Sequence, residues 1–186
     1  MNRRRRATSG DARQTLRLFY ALWPDSPTCR ALSALQGGLS GRVVPAENLH
    51  LTLVFLGEQP VSVLPRLKSI LMDLSAHAVL IPIDVVGSFP RAKIVWAGSS
   101  ESAHAILDMR RALLSALKDS GLIFSDTGRF KPHFTLARQS ALEGDSLPVP
   151  IEGRLNRLVL ARSTPATTPA GHPCYTLVAG RVLSAA

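Results

Sequence analysis

Short apolar runs bounded by Gly, Pro or polar residues recur along the chain and predict its β-strands. A further apolar stretch is split by a turn centred on residues 87–90, which predicts a strand on each side of it. The predicted strands cover residues 16–22, 49–56, 79–86, 93–97, 132–137, 151–162 and 175–183.

Three other stretches carry apolar residues at helical spacing. They predict helices over residues 27–35, 61–74 and 102–118. The apolar stripe of the last one consists of Ile106, Met109, Leu113, Leu114 and Leu117. Because the strands cluster between the helices, with few parallel βαβ units, the pattern predicts an α+β fold with mostly antiparallel sheets.

Two of the predicted strands share a polar motif. His50 and Thr52 are separated by one apolar residue, and so are His133 and Thr135. Side chains two positions apart on a strand share one face, about 6.5–7 Å from each other. A chain of this composition is expected to hold about 0.3 His-x-Thr triplets by chance, so two copies point to a polar site.

The two motifs lie almost half the chain apart, each among a strand, a helix and further strands. We therefore predict a bilobal, pseudo-symmetric fold with two mostly antiparallel β-sheets facing a central cleft and the helices packed outside. Residues 15–186 form one domain in this interpretation, and each lobe supplies one motif. Residues 1–14 are predicted to form a basic, disordered tail.

The chain has 186 residues, of which 46% are hydrophobic, and a net charge of +9. Residues 3–6 are all Arg, which leaves +5 on the remainder. A basic surface favours polyanionic partners, and nucleic acid is preferred to a membrane because no amphipathic basic helix accompanies the charge. The Arg run is interpreted as a solvated tail, with an RNA-tethering arm as the alternative.

Cysteine usage and hydropathy both favour a cytoplasmic protein. Cys29 and Cys174 are far apart in sequence and form no metal-ligand spacing, so free thiols are preferred to a disulfide. No apolar run approaches the length of a membrane span, and no signal peptide is recognised. We expect a monomer that does not bind membranes.

A facing pair of His residues can divide general-base and general-acid work in one step, because the imidazole titrates near neutrality. The hydroxyls of Thr52 and Thr135 could donate hydrogen bonds to a phosphate between the strands. Arg129, Lys131 and Arg138 flank the second motif and are candidate substrate-binding residues. No clustered carboxylates are found to hold a metal, so we expect no metal or other cofactor.

Simpler interpretations compete with several of these assignments. Arg138 could be an ordinary edge-strand charge. Phe19, Phe55 and Trp96 favour core positions over base stacking, although Phe55 is retained as a substrate-binding candidate. Sequence motifs typical of nucleotide phosphate loops and of serine hydrolases are absent.

The sequence resembles the 2H phosphoesterase superfamily, most closely its bacterial and archaeal RNA 2′,3′-cyclic phosphodiesterases, also called 2′-5′ RNA ligases. The similar segments lie at both motifs, near the start of the domain and in mid-chain. They are residues 17–21 (RLFYA), 48–58 (NLHLTLVFLGE), 95–98 (VWAG) and 132–138 (PHFTLAR).

The resemblance implies hydrolysis of a 2′,3′-cyclic phosphate to a 2′-phosphomonoester in a cleft between two antiparallel sheets. It implies that His50 is the proton donor to the leaving 3′ oxygen and that His133 is the proton acceptor that activates water. Thr52 and Thr135 match the phosphate-binding positions. The implied partner is RNA with a 2′,3′-cyclic phosphate end, or a small cyclic nucleotide.

The sequence departs from the family pattern at two places. Relatives often carry an acidic residue before Ser163, where this chain has Arg162, and the segment 175–177 lacks the more usual Pro. Both departures bear on substrate selectivity. The alternatives are 2′-5′ RNA ligation, action on a small cyclic nucleotide, and a non-catalytic module that binds nucleotides or RNA ends.

Overall fold

The computed structural model describes residues 14–101, 103–126, 128–142, 150–166 and 171–185. The basic tail predicted over residues 1–14 lies, except for Gln14, outside the described residues. The nine strands within the described ranges are β1 (Thr15–Pro24), β2 (Arg42–Val43), β3 (Leu51–Pro60), β4 (Val79–Ile83), β5 (Val85–Phe89), β6 (Ile94–Gly98), β7 (Phe134–Arg138), β8 (Ile151–Thr164) and β9 (Cys174–Val182). The α-helices there are α1 (Ser26–Ala34), α2 (Leu64–Asp73) and α3 (His104–Asp119).

The strands form one hydrogen-bonded sheet in the order β4-β8-β1-β3-β7-β6-β5, with β9 beside β8 and β2 beside β7. Each of its strand pairings is antiparallel. The sheet is narrowest between β3 and β7, which are joined by the single pair Leu51–Phe134. This junction divides the sheet into two lobes, so the α+β antiparallel prediction is confirmed and the two predicted sheets are continuous with each other.

The helices pack on one face of the sheet because each has an apolar stripe. All five predicted stripe residues of α3 are buried. The α1 helix begins after Asp25, whose side chain accepts a hydrogen bond from the backbone N–H of Thr28 at 2.9 Å. The fully buried Tyr20 of β1 donates its hydroxyl to the carbonyl of Leu67 in α2 at 2.7 Å. These contacts leave the opposite face of the sheet available for a site.

The segment predicted as one strand over residues 79–86 is two strands. β4 pairs with β8 in one lobe, whereas β5 pairs with β6 in the other. Asp84 separates them and accepts hydrogen bonds from the backbone and hydroxyl of Ser100. Hydrophobic periodicity could not place this break, because both halves are apolar and only the pairing partner changes.

Both cysteines are free thiols, as predicted. Among the described residues, no helix combines the length and the apolar character needed to cross a membrane.

Candidate active site

The two His-x-Thr motifs meet at the junction between the lobes. Leu51 pairs with Phe134 in antiparallel register, so the next positions along each strand place His50 beside Thr135 and Thr52 beside His133. Side chains at such neighbouring positions share one face of the sheet. The two motifs are thus related by a local pseudo-two-fold arrangement, with one His and one Thr on each side.

A β-bulge follows each motif at the same distance. In β3, Tyr20 pairs with Val54 and Ala21 with Thr52, so Leu53 is the extra residue. In β7, Ala137 pairs with Val95 of β6 and Thr135 pairs with Trp96. Leu136, between Thr135 and Ala137, is therefore the extra residue. An extra residue reverses the alternation of faces beyond it.

The bulges turn Phe55 and Arg138 toward the same cleft as the two Thr residues. Each of them lies three positions after the Thr of its motif, where strict alternation would have placed it in the core. The prediction that Phe55 is a core residue is wrong, because its side chain is 61% exposed and lines the cleft. The edge-strand interpretation of Arg138 is also wrong, because β7 has neighbours on both sides.

Both His rings are held in the same way. Nδ1 of His50 lies 2.7 Å from the carbonyl oxygen of Asn48, and Nδ1 of His133 lies 2.7 Å from that of Lys131. A carbonyl oxygen can only accept, so each Nδ1 carries a hydrogen and each Nε2 is left for chemistry. In His50, Nε2 lies 3.1 Å from the hydroxyl of Thr52.

His50 is enclosed by aromatic rings. Trp23 stacks on it, with a distance of 4.9 Å between ring centroids and an interplanar angle of 16°. The centroid of Phe19 lies 5.0 Å from that of His50, and Tyr175 approaches edge-on with a centroid distance of 5.1 Å. Burial among these rings, with smaller effects from the charges of Arg138 and His133, lowers the pKa of His50 from 6.5 to about 4. The Asn48 carbonyl opposes this effect, so at neutral pH the ring is uncharged.

His133 has a more open environment. Phe89 and Trp96 approach it edge-on, with ring centroids at 5.1 and 6.4 Å. Burial lowers its pKa as well, the Lys131 carbonyl raises it, and the cationic side chains of Arg138 and Lys131 lower it. His133 is therefore also neutral at pH 7, and its unprotonated Nε2 is suited to accept a proton.

The motifs open into a cleft of about 630 Å³. Its lining includes both His residues and both Thr residues, together with Phe55 and Arg138 from the bulges. Arg17 and Arg42 add two more cationic side chains, and no acidic residue occurs among the described residues that line the cleft. A cleft with this charge and these hydroxyl donors favours a phosphate-bearing ligand.

Two of the predicted substrate-binding residues lie elsewhere. The ammonium group of Lys131 lies 3.9 Å over the ring of Trp96, and Lys131 lines a separate groove together with Phe130 and residues between 99 and 107. Arg129 is exposed and is not among the residues that line the cleft. Proximity to the motif in sequence therefore does not bring these two side chains into the lining of the cleft.

Sequence reasoning did not assign site roles to several residues that line the cleft or enclose His50. Trp23, Arg42 and Tyr175 come from other strands, so only the strand pairing brings them to the His pair. Arg42 also donates a hydrogen bond to the carbonyl of Gly171 at 2.9 Å. The departure from the family pattern at residues 175–177 was the one signal that pointed to this region, since Tyr175 lies against His50.

Within the described ranges, no group of three or more His, Cys, Asp or Glu side chains is placed to hold a metal ion. The expectation that the chain works without a metal remains a prediction.

A family model described as LigT like Phosphoesterase matches residues 22–96. An RNA 2′,3′-cyclic phosphodiesterase of Thermus thermophilus is 31% identical to this chain over 88% of each protein. The chain belongs to the LigT-like phosphoesterase family. A second relative of the same name, from Escherichia coli, is 32% identical over 60% of this chain, and the alignment spans 62% of that relative.

The crystal structure of E. coli LigT complexed with 3′-AMP has the same fold as this phosphoesterase. Its TM-score is 0.77, with 24% identity, over 92% of this chain and 99% of that one. The family model ends at residue 96, so the first motif lies inside it and the second lies beyond it. The evidence for the second motif, at His133, therefore comes from the structure and from the sequence pattern described above.

Proposed function

We propose that this phosphoesterase hydrolyses a terminal 2′,3′-cyclic phosphate of RNA to a 2′-phosphomonoester, with His50 as general acid and His133 as general base. The observation that carries the proposal is the Leu51–Phe134 register, which brings the two His-x-Thr motifs together on one face of the sheet. The activity in the names of the relatives supports the same reaction.

The proposed step assigns one proton transfer to each of the two Nε2 atoms. Nε2 of His133 takes a proton from water, and the water oxygen forms a bond to phosphorus. The bond from phosphorus to the 3′ oxygen breaks in line with this attack. Nε2 of His50 delivers a proton to the 3′ oxygen, which leaves as a hydroxyl, and the phosphate stays on the 2′ oxygen.

Thr52, Thr135 and Arg138 hold the phosphate during this step. The two hydroxyls donate hydrogen bonds to non-bridging oxygens of the phosphate, and the guanidinium of Arg138 balances the negative charge of these oxygens. Arg138 makes no ion pair with the described residues, so its charge is available to the substrate. Phe55, at the equivalent position of the other motif, offers an apolar surface to the sugar or base.

Substrate binding also prepares His50 for its role. Before the phosphate arrives, the Thr52 hydroxyl donates to Nε2 of the neutral ring. An anionic phosphate favours the protonated form of His50 and draws the Thr52 hydroxyl to its own oxygens, which frees Nε2 to carry a proton. Burial among the aromatic rings still favours the neutral ring, which promotes transfer of the proton to the leaving oxygen.

Identification of the product isomer tests the reaction. We expect RNA ending in a 2′,3′-cyclic phosphate to give only a terminal 2′-phosphate, and to do so in the presence of EDTA. A 3′-phosphate product would contradict the assignment of the leaving group. Loss of activity with EDTA and its recovery with a divalent cation would contradict the two-histidine step. Added 5′-hydroxyl RNA in the same assay measures ligation, in which that hydroxyl replaces water as the nucleophile and a 2′-5′ linkage forms.

We further propose that the enzyme acts as a monomer in the cytoplasm. One chain supplies both motifs, and both cysteines are free thiols, as suits a reducing compartment. Elution at the mass of one chain from a sizing column, with unchanged specific activity on dilution, is the expected result. Activity that falls on dilution would contradict it.

A further inference from the structure

A second groove lies beside the cleft, on the far side of the rings that enclose His50. Its volume is about 190 Å³, and its lining includes Trp23, Tyr175 and Leu177. We call it the Trp23 groove. Tyr175 lines both the cleft and this groove, so the two spaces meet at its ring. Trp23 lines the groove but not the cleft, and its ring stacks on His50.

The walls and floor of the Trp23 groove suit a flat aromatic ring. The floor includes Val159 of β8, which is buried together with Phe19, Ala21 and Ala161 in a small apolar cluster separate from the main core. Leu177 of β9 is 50% exposed at one wall. Exposed aromatic and apolar side chains on an open sheet are the surface on which single-stranded RNA bases stack.

Two opposite charges lie in the lining of the groove. Arg157 of β8 and Glu47 are both exposed, and they form no ion pair with each other. The guanidinium group can bind a phosphate, and the carboxylate repels one. A carboxylate can instead accept hydrogen bonds from the exocyclic amino group of a base. The groove therefore distinguishes the two ends of a nucleotide.

We propose that the Trp23 groove binds the nucleotide that precedes the cyclic-phosphate nucleotide in an RNA substrate. Its base stacks on Trp23, with its amino edge toward Glu47, and its phosphate lies on Arg157. This inference rests on the proposed function, because the cyclic phosphate at His50 and His133 fixes which nucleotide reaches the groove. The preferred substrate is then an RNA of two or more nucleotides, and a cyclic mononucleotide uses the cleft alone.

A comparison of two substrates tests the proposal: a 2′,3′-cyclic mononucleotide, and a dinucleotide that ends in the same cyclic-phosphate nucleoside. We expect Arg157→Gln to lower kcat/KM for the dinucleotide about tenfold, the low end of the worth of a hydrogen bond to a charged group. The value for the mononucleotide should stay within twofold of the wild type, since Arg157 does not line the cleft.

Arg162→Gln is the matched control. The family comparison linked Arg162 to substrate selectivity, but the structure places it outside the linings of both the cleft and the Trp23 groove. It is an exposed arginine of the same strand, β8, and its position alternates to the other face of the sheet from Ala161. The Arg162→Gln substitution removes the same charge, and kcat/KM for both substrates should stay within twofold of the wild type. A loss with Arg162→Gln equal to that with Arg157→Gln would assign the effect to net charge and overturn the proposal.

A binding measurement separates the groove from the reaction. The dinucleotide with a 2′-phosphate should bind the wild type more tightly than the corresponding mononucleotide and quench tryptophan fluorescence, and Arg157→Gln should weaken the dinucleotide alone. If the wild type hydrolyses neither substrate, the proposed function fails and this titration still decides the groove. Equal affinity for the two ligands, or an equal effect of Arg157→Gln on both, would overturn the groove proposal.

Discussion

The halves of the site around His50 and around His133 have the same backbone design and different surroundings. In each, the His donates Nδ1–H to the carbonyl two residues earlier, and a bulge follows the Thr. Trp23 stacks on His50 and Thr52 is hydrogen-bonded to it, whereas Phe89 and Trp96 approach His133 edge-on. One motif used twice can therefore serve two roles, because the neighbours set the proton affinity of each ring.

The residues that the two bulges turn toward the cleft also differ between the halves, since one is aromatic and the other is cationic. Phe55 occupies in the His50 half the position that Arg138 occupies in the His133 half. Phe55 follows the motif of the proposed acid along β3, and Arg138 follows the motif of the proposed base along β7. The charge of Arg138 lowers the pKa of both His rings, so it lies within reach of a phosphate held between them.

Replacement of either His is the largest expected effect. We expect His50→Ala and His133→Ala each to lower kcat about 10²–10⁴-fold, the usual worth of a positioned acid or base. The double variant should lose little more than either single variant, because residues that act in one step fail together. Steady-state kinetics on a cyclic-phosphate dinucleotide measures this, and fully additive losses would show that the two halves act separately.

The low pKa of His50 predicts a loss of stability in acid. His50 binds a proton near pH 6.5 in the unfolded chain and near pH 4 in the folded chain. The contribution of the buried, neutral ring to the free energy of unfolding is therefore complete above pH 6.5 and falls as the pH decreases toward 4. Its size is about 3 kcal/mol. Urea unfolding at several pH values should show a shallower decrease for His50→Gln than for the wild type. Parallel curves would contradict the burial of His50.

The Thr residues should give smaller effects. Thr52→Val and Thr135→Val each remove one hydroxyl donor to a charged phosphate, and we expect losses of about 1.5–3 kcal/mol in transition-state binding, measured from kcat/KM. Thr52→Val also removes the hydrogen bond to Nε2 of His50, so its pH profile should shift while that of Thr135→Val stays in place. Identical pH profiles of the two variants would contradict the proposed difference between the His50 and His133 halves of the site.

The two motifs could be predicted from the sequence because the argument needed only the alternation of side chains along one strand. His50, Thr52, His133 and Thr135 fulfil that rule, and so does the apolar stripe of α3. These signals are local, with a spacing of two residues or of one helical turn. The α+β class followed from the order of such local elements.

The remaining site residues depend on features that a local pattern does not contain. Phe55 and Arg138 face the cleft only because a bulge reverses the alternation before them. Trp23 and Tyr175 reach His50 because β1 lies between β3 and β8, with β9 beside β8. Lys131 shows the opposite failure, since it is near the motif in sequence and its side chain points to Trp96. Both errors arise where pairing, rather than spacing, decides the position.

The most direct test of the division of roles uses a cyclic substrate in which sulfur replaces the bridging 3′ oxygen. A thiolate leaves without prior protonation, because a thiol has a much lower pKa than an alcohol. If His50 is the acid, this substrate should restore most of the activity lost in His50→Ala and hardly any of that lost in His133→Ala. Equal rescue of both variants, or rescue of His133→Ala alone, would contradict the assignment.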